Sequence, residues 1–173
     1  MKRQFLRYLS GLIPAIVLFI NSNAQVAKAS LEMNLKEYIF NEAKESTGEG
    51  VVAITRAVRD FNRRFSNVEK VNWFDDRDGF AARFNVDGAD TKAYYDQAGR
   101  WYATIRSYEQ DKLPKDVRKL VRSTYYDYNI YLVDEITAGD EVVYLVKIQD
   151  GVTLKTIRVA DGEMNVCEDY IKI

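Results

Sequence analysis

The sequence has no histidine at all. Histidine is the side chain whose ordinary pKa lies nearest neutrality. Its absence removes His-based acid–base relays, the usual activators of Ser and Cys nucleophiles, and most zinc sites. Cysteine occurs once, as Cys167. A single cysteine closes no internal disulfide and builds no thiolate metal cage, and here it lacks the base that would make it a nucleophile. It reads as a small, semi-buried strand residue. No glycine-rich loop precedes a helix in the way that phosphate cradles require. Beyond the N-terminal segment no apolar run approaches the roughly 20 residues that span a bilayer. Charge of one sign is also lacking: 25 basic and 26 acidic residues are interspersed, so no positive stripe of the kind nucleic acid demands is visible along the chain.

What is present is enough to fold. Apolar residues make up 47% and aromatics 13% of 173 residues, with twelve Tyr and eight Phe. That suffices for one compact domain, or two small halves sharing a core. The first stretch places Lys2, Arg3 and Arg7 before an apolar run from Leu12 to Ile20 and then small residues, the pattern of an export signal. The expected signal peptide is residues 1–24, cut after Ala24, with a cut after Ala29 as the other option. Removing those three basic residues leaves 22 against 26 acidic, a net charge of −4. Without its signal the chain is expected to span no membrane. Cys167 lies too far along to carry an N-terminal lipid, so the expected location is the periplasm or, failing that, the exterior. Residues 25–50 form an extension: a helical pattern through Leu31, Leu35, Tyr38 and Ile39, then the linker-like "STGEG" of residues 46–50.

The domain proper is residues 51–173. Ile54, Ala57, Val58, Phe61 and Phe65 recur at helical spacing, with Arg56, Arg59, Asp60, Asn62, Arg63 and Arg64 between them, which predicts an amphipathic helix with one buried stripe. Four strand-like runs follow, at residues 70–75, 79–86, 91–96 and 100–107. The turns between them, "DRDG", "DGAD" and "DQAG", are too short for parallel returns, so the strands form an antiparallel meander. Then the order restarts. Pro114 and Asp116 open a second helix with Val117, Leu120, Val121 and Tyr125 on one side. Runs at 129–136, 141–149, 153–159 and 163–171 make a second meander. The halves, about 51–107 and 112–171, can be overlaid: Val58 falls on Val117, Phe84 on Val146, Asp87-Gly88 on Asp150-Gly151 and Gly99 on Gly162. The expectation is an α+β fold of two tandem helix-plus-four-stranded-meander units, with both helices on one face of the sheet.

These segments carry a family resemblance. "FNRRFSNVEKVNW" (61–73), "GFAARF" (79–84), "AYYDQAGRW" (93–101) and "LPKDVRKLV" (113–121) resemble the PepSY-like, β-lactamase-inhibitor-like small exported proteins, across roughly residues 51–170. The resemblance implies the architecture of the β-lactamase inhibitory protein, whose repeated helix-and-sheet unit presents a sheet face to an enzyme. It therefore also implies protein binding in the cell envelope. No residue of a known inhibitor's contact set transfers, because no motif aligns with it.

Chemistry has little to work with. Asp76 and Asp78 before Gly79 suggest a calcium loop, but the EF-hand template would put Phe74 and Asn85 at its two ends, so a polar hairpin turn is the better reading. Asp60, Asp96, Asp161 and Glu163 are carboxylates without a defined separation, too little for a glycosidase pair. The expectation is therefore no catalytic residues, no metal and no cofactor.

Strand alternation assigns Val71, Trp73, Phe80, Ala82, Phe84, Val86, Ala93, Tyr95, Trp101, Ala103 and Ile105 to the core beneath the helices. The other face then carries Asn72, Phe74, Arg83, Asn85, Lys92, Tyr94, Tyr102, Thr104 and Arg106. It continues through Val143, Leu145, Lys147, Leu154, Thr156 and Arg158 in the second half. Rings interleaved with arginines are the composition of interface anchors, so the candidate partner-binding face is Phe74, Arg83, Tyr94, Tyr102 and Arg106. The function expected is non-enzymatic binding of a protein or peptide in the envelope; the alternative is a small-ligand-binding protein with a pocket between sheet and helices.

Overall fold

The computed structural model describes residues 49–66, 68 and 70–173. The expected signal peptide, both cleavage points and the helix at 30–46 lie outside them. Helix α1 spans Glu49–Arg64, so Glu49 and Gly50, expected in the linker, belong to its first turn. Strands β1 (Asn72–Asp76), β2 (Gly79–Val86), β3 (Ala89–Asp96) and β4 (Trp101–Tyr108) follow. A single 3-10 turn, Gln110–Lys112, leads to helix α2 (Lys115–Thr124). Then come β5 (Asn129–Ala138), β6 (Glu141–Gln149), β7 (Thr153–Ala160) and β8 (Glu163–Ile171). All eight strands form one antiparallel sheet in sequence order.

The stripe on α1 does what its spacing predicts. Ile54, Ala57 and Phe61 are buried with Trp73, Phe80, Ala82, Phe84, Ala93 and Tyr95, and Val58, Phe65, Val71 and Trp101 pack around them. Pro114 sits just before α2, its fixed φ of −50° feeding the first turn. Arg118 then reaches back to donate to the carbonyls of Gln110, Asp111 and Leu113, fastening the 3-10 turn to the helix. Val117 and Val121 join a second cluster with Ile130, Val133, Val146, Ile148, Ile157 and Val159. On β3, Ala93 and Tyr95 belong to the α1 cluster and Ala89, of the same parity, to the α2 cluster.

Turn chemistry sets the register. Asp87 and Gly88 both take positive φ, 52° and 69°, as do Asp161 and Gly162 at 53° and 76°. That is the two-residue hairpin geometry matching strand twist. The β6–β7 turn differs, with the Asp150 carboxylate accepting the N–H groups of Val152 and Thr153 at 2.8 and 2.6 Å. The turn pair overlaid in sequence, Asp87-Gly88 on Asp150-Gly151, is therefore not a pair in backbone geometry. The order of elements repeats, but this turn does not.

Three strand pairs carry a register shift, at Tyr102, Tyr131 and Cys167. Each extra residue bends its strand and changes which face the following side chains meet. Cys167 is exposed at its bulge, not semi-buried as the strand pattern suggested.

Candidate functional site

The strand pairs group a second set of side chains, of parity opposite to Trp73, Ala82, Ala93 and Tyr95. Phe74, Ala81 and Tyr94 lie side by side across β1, β2 and β3, with Arg83 and Lys92 in the neighbouring row. Ala81 is fully buried between the flanking rings while Phe74 and Tyr94 stay half-buried. Tyr102, the bulged residue of β4, joins them: its ring centroid is 6.0 Å from that of Tyr94. Arg83 pairs with Asp90 through two hydrogen bonds of 3.0 and 2.9 Å. Four of the five expected face residues are thus brought together.

Arg106 is not among them. The bulge at Tyr102 makes Tyr94 face Ala103 and Tyr95 face Trp101, so the parity of β4 inverts past that point. Arg106 now pairs with Thr91 and Glu135. It points to the side where Tyr108 packs, with Nη1 donating to Glu135 Oε1 at 3.2 Å. Thr104 goes with it, accepting the indole N–H of Trp101 at 2.9 Å. Conversely Ala103 and Ile105, expected beneath the helices, stand on the candidate face. Simple alternation holds only within an unbroken ladder, and no residue in "RWYATIRS" announces the extra one.

The same face continues into the second half as expected. Ile105, Ile136, Val143 and Leu145 occupy adjoining strands, are 1–7% exposed, and belong to neither helix-packed cluster. Sequence reading missed the acid in this band. Asp134 is 2% exposed and accepts from Ser107 at 2.6 Å on one oxygen. Lys147 Nζ stands 2.9 Å from the other oxygen, outside hydrogen-bonding angles, so charge alone serves that atom. The available signal was the acid inside the apolar run "IYLVDEI". Thr156, also buried, donates to Glu168 at 2.6 Å.

The electrostatics at the ring end are negative. Burial first, then Asp76, Asp78 and Asp96, push the Tyr102 hydroxyl up to about 12. Burial, then Asp76 and Tyr102, raise Tyr94 further. Both remain neutral donors at any physiological pH.

Elsewhere, Asp60 is engaged by Arg63 and Arg64, and Asp96 accepts the N–H groups of Ala98 and Arg100. Among the described residues no group of three or more His, Cys, Asp or Glu could hold a metal ion, and no helix is long and apolar enough to cross a membrane. A groove of about 510 Å³ opens between α2, strands β6 and β7 and the β7–β8 turn, lined by Val117, Leu120, Val142, Tyr144, Val159 and Asp161 among others.

No protein-family profile and no curated protein matches the chain. Solved structures share the fold. A BLIP-like protein from Bacteroides fragilis superposes with a TM-score of 0.57 at 14% identity, covering 68% of this chain and 84% of that one. A DUF2874-family protein from Bacteroides uniformis gives 0.56 at 16%, covering 67% and 87%. A protein assigned to the periplasm of Bacteroides eggerthii gives 0.56 at 15%, covering 67% and 86%. The eight-stranded antiparallel sheet with its helices is a BLIP-like fold, which defines the architectural class.

Proposed function

We propose that this chain is an exported, non-enzymatic module that binds a protein segment of the cell envelope through the sheet face carrying Phe74, Arg83, Tyr94 and Tyr102. In this reading both helices back the opposite face, as two copies of one unit, and the signal sequence takes the chain to the periplasm. The observation that carries it is the half-buried ring cluster at the edge of an apolar band that no helix-packed cluster includes. Large rings bind with little side-chain freedom to lose, and the band behind them is already withdrawn from water, so the platform is stiff. The surrounding Asp76, Asp78 and Asp96 favour a partner segment bearing Lys or Arg beside apolar residues. The BLIP-like neighbour and its periplasm-assigned relative agree with this reading at the level of fold.

The test pairs a photo-crosslinker at Tyr102 with one at Lys119 on α2. An envelope protein captured only from Tyr102 is then purified and titrated against the Phe74→Ser/Tyr94→Ser/Tyr102→Ser triple variant. Affinity should fall by about a hundredfold or more, as for loss of several hot-spot rings, while thermal unfolding stays cooperative. Unchanged affinity in a folded triple variant would refute the assignment of this face.

A second reading, small-ligand binding, is favoured by the apolar groove beside α2. A rise in melting temperature with an apolar compound, abolished by Val159→Trp, would support it over the first.

A further inference from the structure

The whole chain carries a net charge of −1, yet one groove gathers five arginines. Arg56, Arg59 and Arg63 follow one another at three- and four-residue steps along the exposed side of α1, and Arg64 closes its last turn. The β3–β4 turn brings Arg100 and Trp101 against them, forming a half-open groove of about 420 Å³ with Asp60 as the one acid in its lining. Five guanidinium groups against one carboxylate leave four net positive charges in a space that size. Along the sequence these residues look interspersed; folding concentrates them.

The groove is held in shape. Arg56 donates to the carbonyl of Ala98 at 3.2 Å. Gly99 lies so close to α1 that an added Cβ would come within 2.0 Å of the Ala53 carbonyl. Asp60 takes Arg63 and Arg64, and the Arg64 guanidinium lies 4.1 Å over the Trp101 ring. Neither Arg59 nor Arg100 has a carboxylate partner among the described residues. The buried Tyr95 hydroxyl has no hydrogen-bond partner and lies within the field of Asp60 and Arg64.

We infer that this groove is a binding site for a compact, multiply charged phosphate, with Arg59 and Arg100 as the two open guanidinium forks. Guanidinium groups match phosphate oxygens in bidentate geometry, and their planes are weakly hydrated, so displacing their water costs little. A half-open groove of this size with converging guanidinium groups suits a pyrophosphate or phosphomonoester group better than the side of an acidic helix. The group can come from a lipid headgroup or from a soluble phosphate compound. The site is separate from the sheet face, so its failure leaves the proposed function untouched.

Trp101 reports on it, because Trp73, the other tryptophan, is 1% exposed. The purified protein is titrated with inorganic pyrophosphate at low ionic strength, following tryptophan fluorescence. It is then titrated with vesicles of phosphatidic acid and of phosphatidylcholine. The expected result is a saturable response to pyrophosphate. The Arg59→Gln/Arg100→Gln variant should weaken it by about a hundredfold, tenfold or about 1.4 kcal/mol for each fork, with an unchanged melting temperature. The Lys115→Gln/Lys119→Gln variant, which removes the same charge from α2, should bind as the parent does. Binding to phosphatidic acid vesicles that pyrophosphate displaces identifies the lipid source; pyrophosphate binding without vesicle binding identifies the soluble one. The inference is overturned by no saturation at millimolar pyrophosphate, by an equal loss in the Lys115/Lys119 control, or by poly-glutamate binding more tightly than pyrophosphate.

Discussion

Helix α1 lies on rings and helix α2 on branched aliphatics. Beneath α1, Phe61 meets Phe84 edge-on at 4.9 Å and Trp73 at 5.5 Å, while Trp73 meets Tyr95 at 5.6 Å. Beneath α2, Val117 and Val121 meet Ile130, Val133, Val146, Ile148, Ile157 and Val159. The order of elements is the same and the packing chemistry is not. A few interlocked rings concentrate stability in hubs, since each buries a large area and adds oriented edge-to-face contacts. Many small branched residues spread it, because each fills little volume and its neighbours relax around a loss. Phe61→Ala should therefore cost about 4 kcal/mol and Ile157→Val about 1 kcal/mol. Urea unfolding followed by circular dichroism measures both. Equal losses would dissolve the contrast.

The same two halves differ where the helix meets the turn before the last strand of its meander. Gly99 and Gly162 occupy matching places and both have positive φ, 70° and 76°. Gly99 is wedged against the α1 backbone at Ala53, whereas an added Cβ at Gly162 would meet nothing within 4 Å. Helix α1 has 16 residues and α2 only 10. The longer helix closes on its turn, and the shorter one leaves the apolar groove beside Asp161. Gly99→Ala should then lose about 3 kcal/mol, from overpacking against rigid backbone added to left-handed strain. Gly162→Ala should lose only the strain, about 1 kcal/mol. Melting temperatures of the two variants sharpen or erase the comparison.

What could be read in advance follows from the same physics. The two described helices and the eight strands were legible, because periodicity and Asp-Gly turns report on local backbone, and within each meander the turns were short enough to force antiparallel pairing; the β4–β5 pairing that joins the meanders across residues 109–128 was not. Ala103, Ile105 and Arg106 were misplaced together, because one bulged residue at Tyr102 inverts everything after it and is fixed by cross-strand pairing rather than by residue type. The Arg59 and Arg100 groove was illegible for a related reason. Its members are 41 positions apart in sequence and meet only through the close approach at Gly99.

The band beyond the bulge makes a further contrast, this time between one carboxylate that is buried and one that is open. Asp134 has Lys147 as its only countercharge among the described residues, with side chains 3% and 16% exposed. Lys147→Met should cost about 2 kcal/mol by leaving a buried charge unbalanced. Adding Asp134→Leu should recover most of that, since an apolar pair of similar volume removes the desolvation penalty altogether. Failure of the second change to rescue the first would mean that Ser107, not Lys147, is the partner that matters.

Asp150 gives the smallest effect and the most definite pH window. It sits at the surface, yet the backbone N–H groups of Thr153 and Val152 hold its pKa at about 2, against an ordinary 3.8. A carboxyl whose folded pKa is depressed contributes stability above its unfolded pKa and loses it as pH falls toward the folded one. The β6–β7 hairpin should therefore weaken between pH 3.8 and about 2, while the Asp87-Gly88 and Asp161-Gly162 turns, built on positive φ, are independent of that carboxylate. Asp150→Asn keeps an acceptor oxygen but carries no charge. It should flatten the acid limb of the melting-temperature profile in that window while leaving the profile near neutrality slightly lower. An acid limb identical to the parent's would show that the two turn hydrogen bonds persist when the carboxyl is protonated.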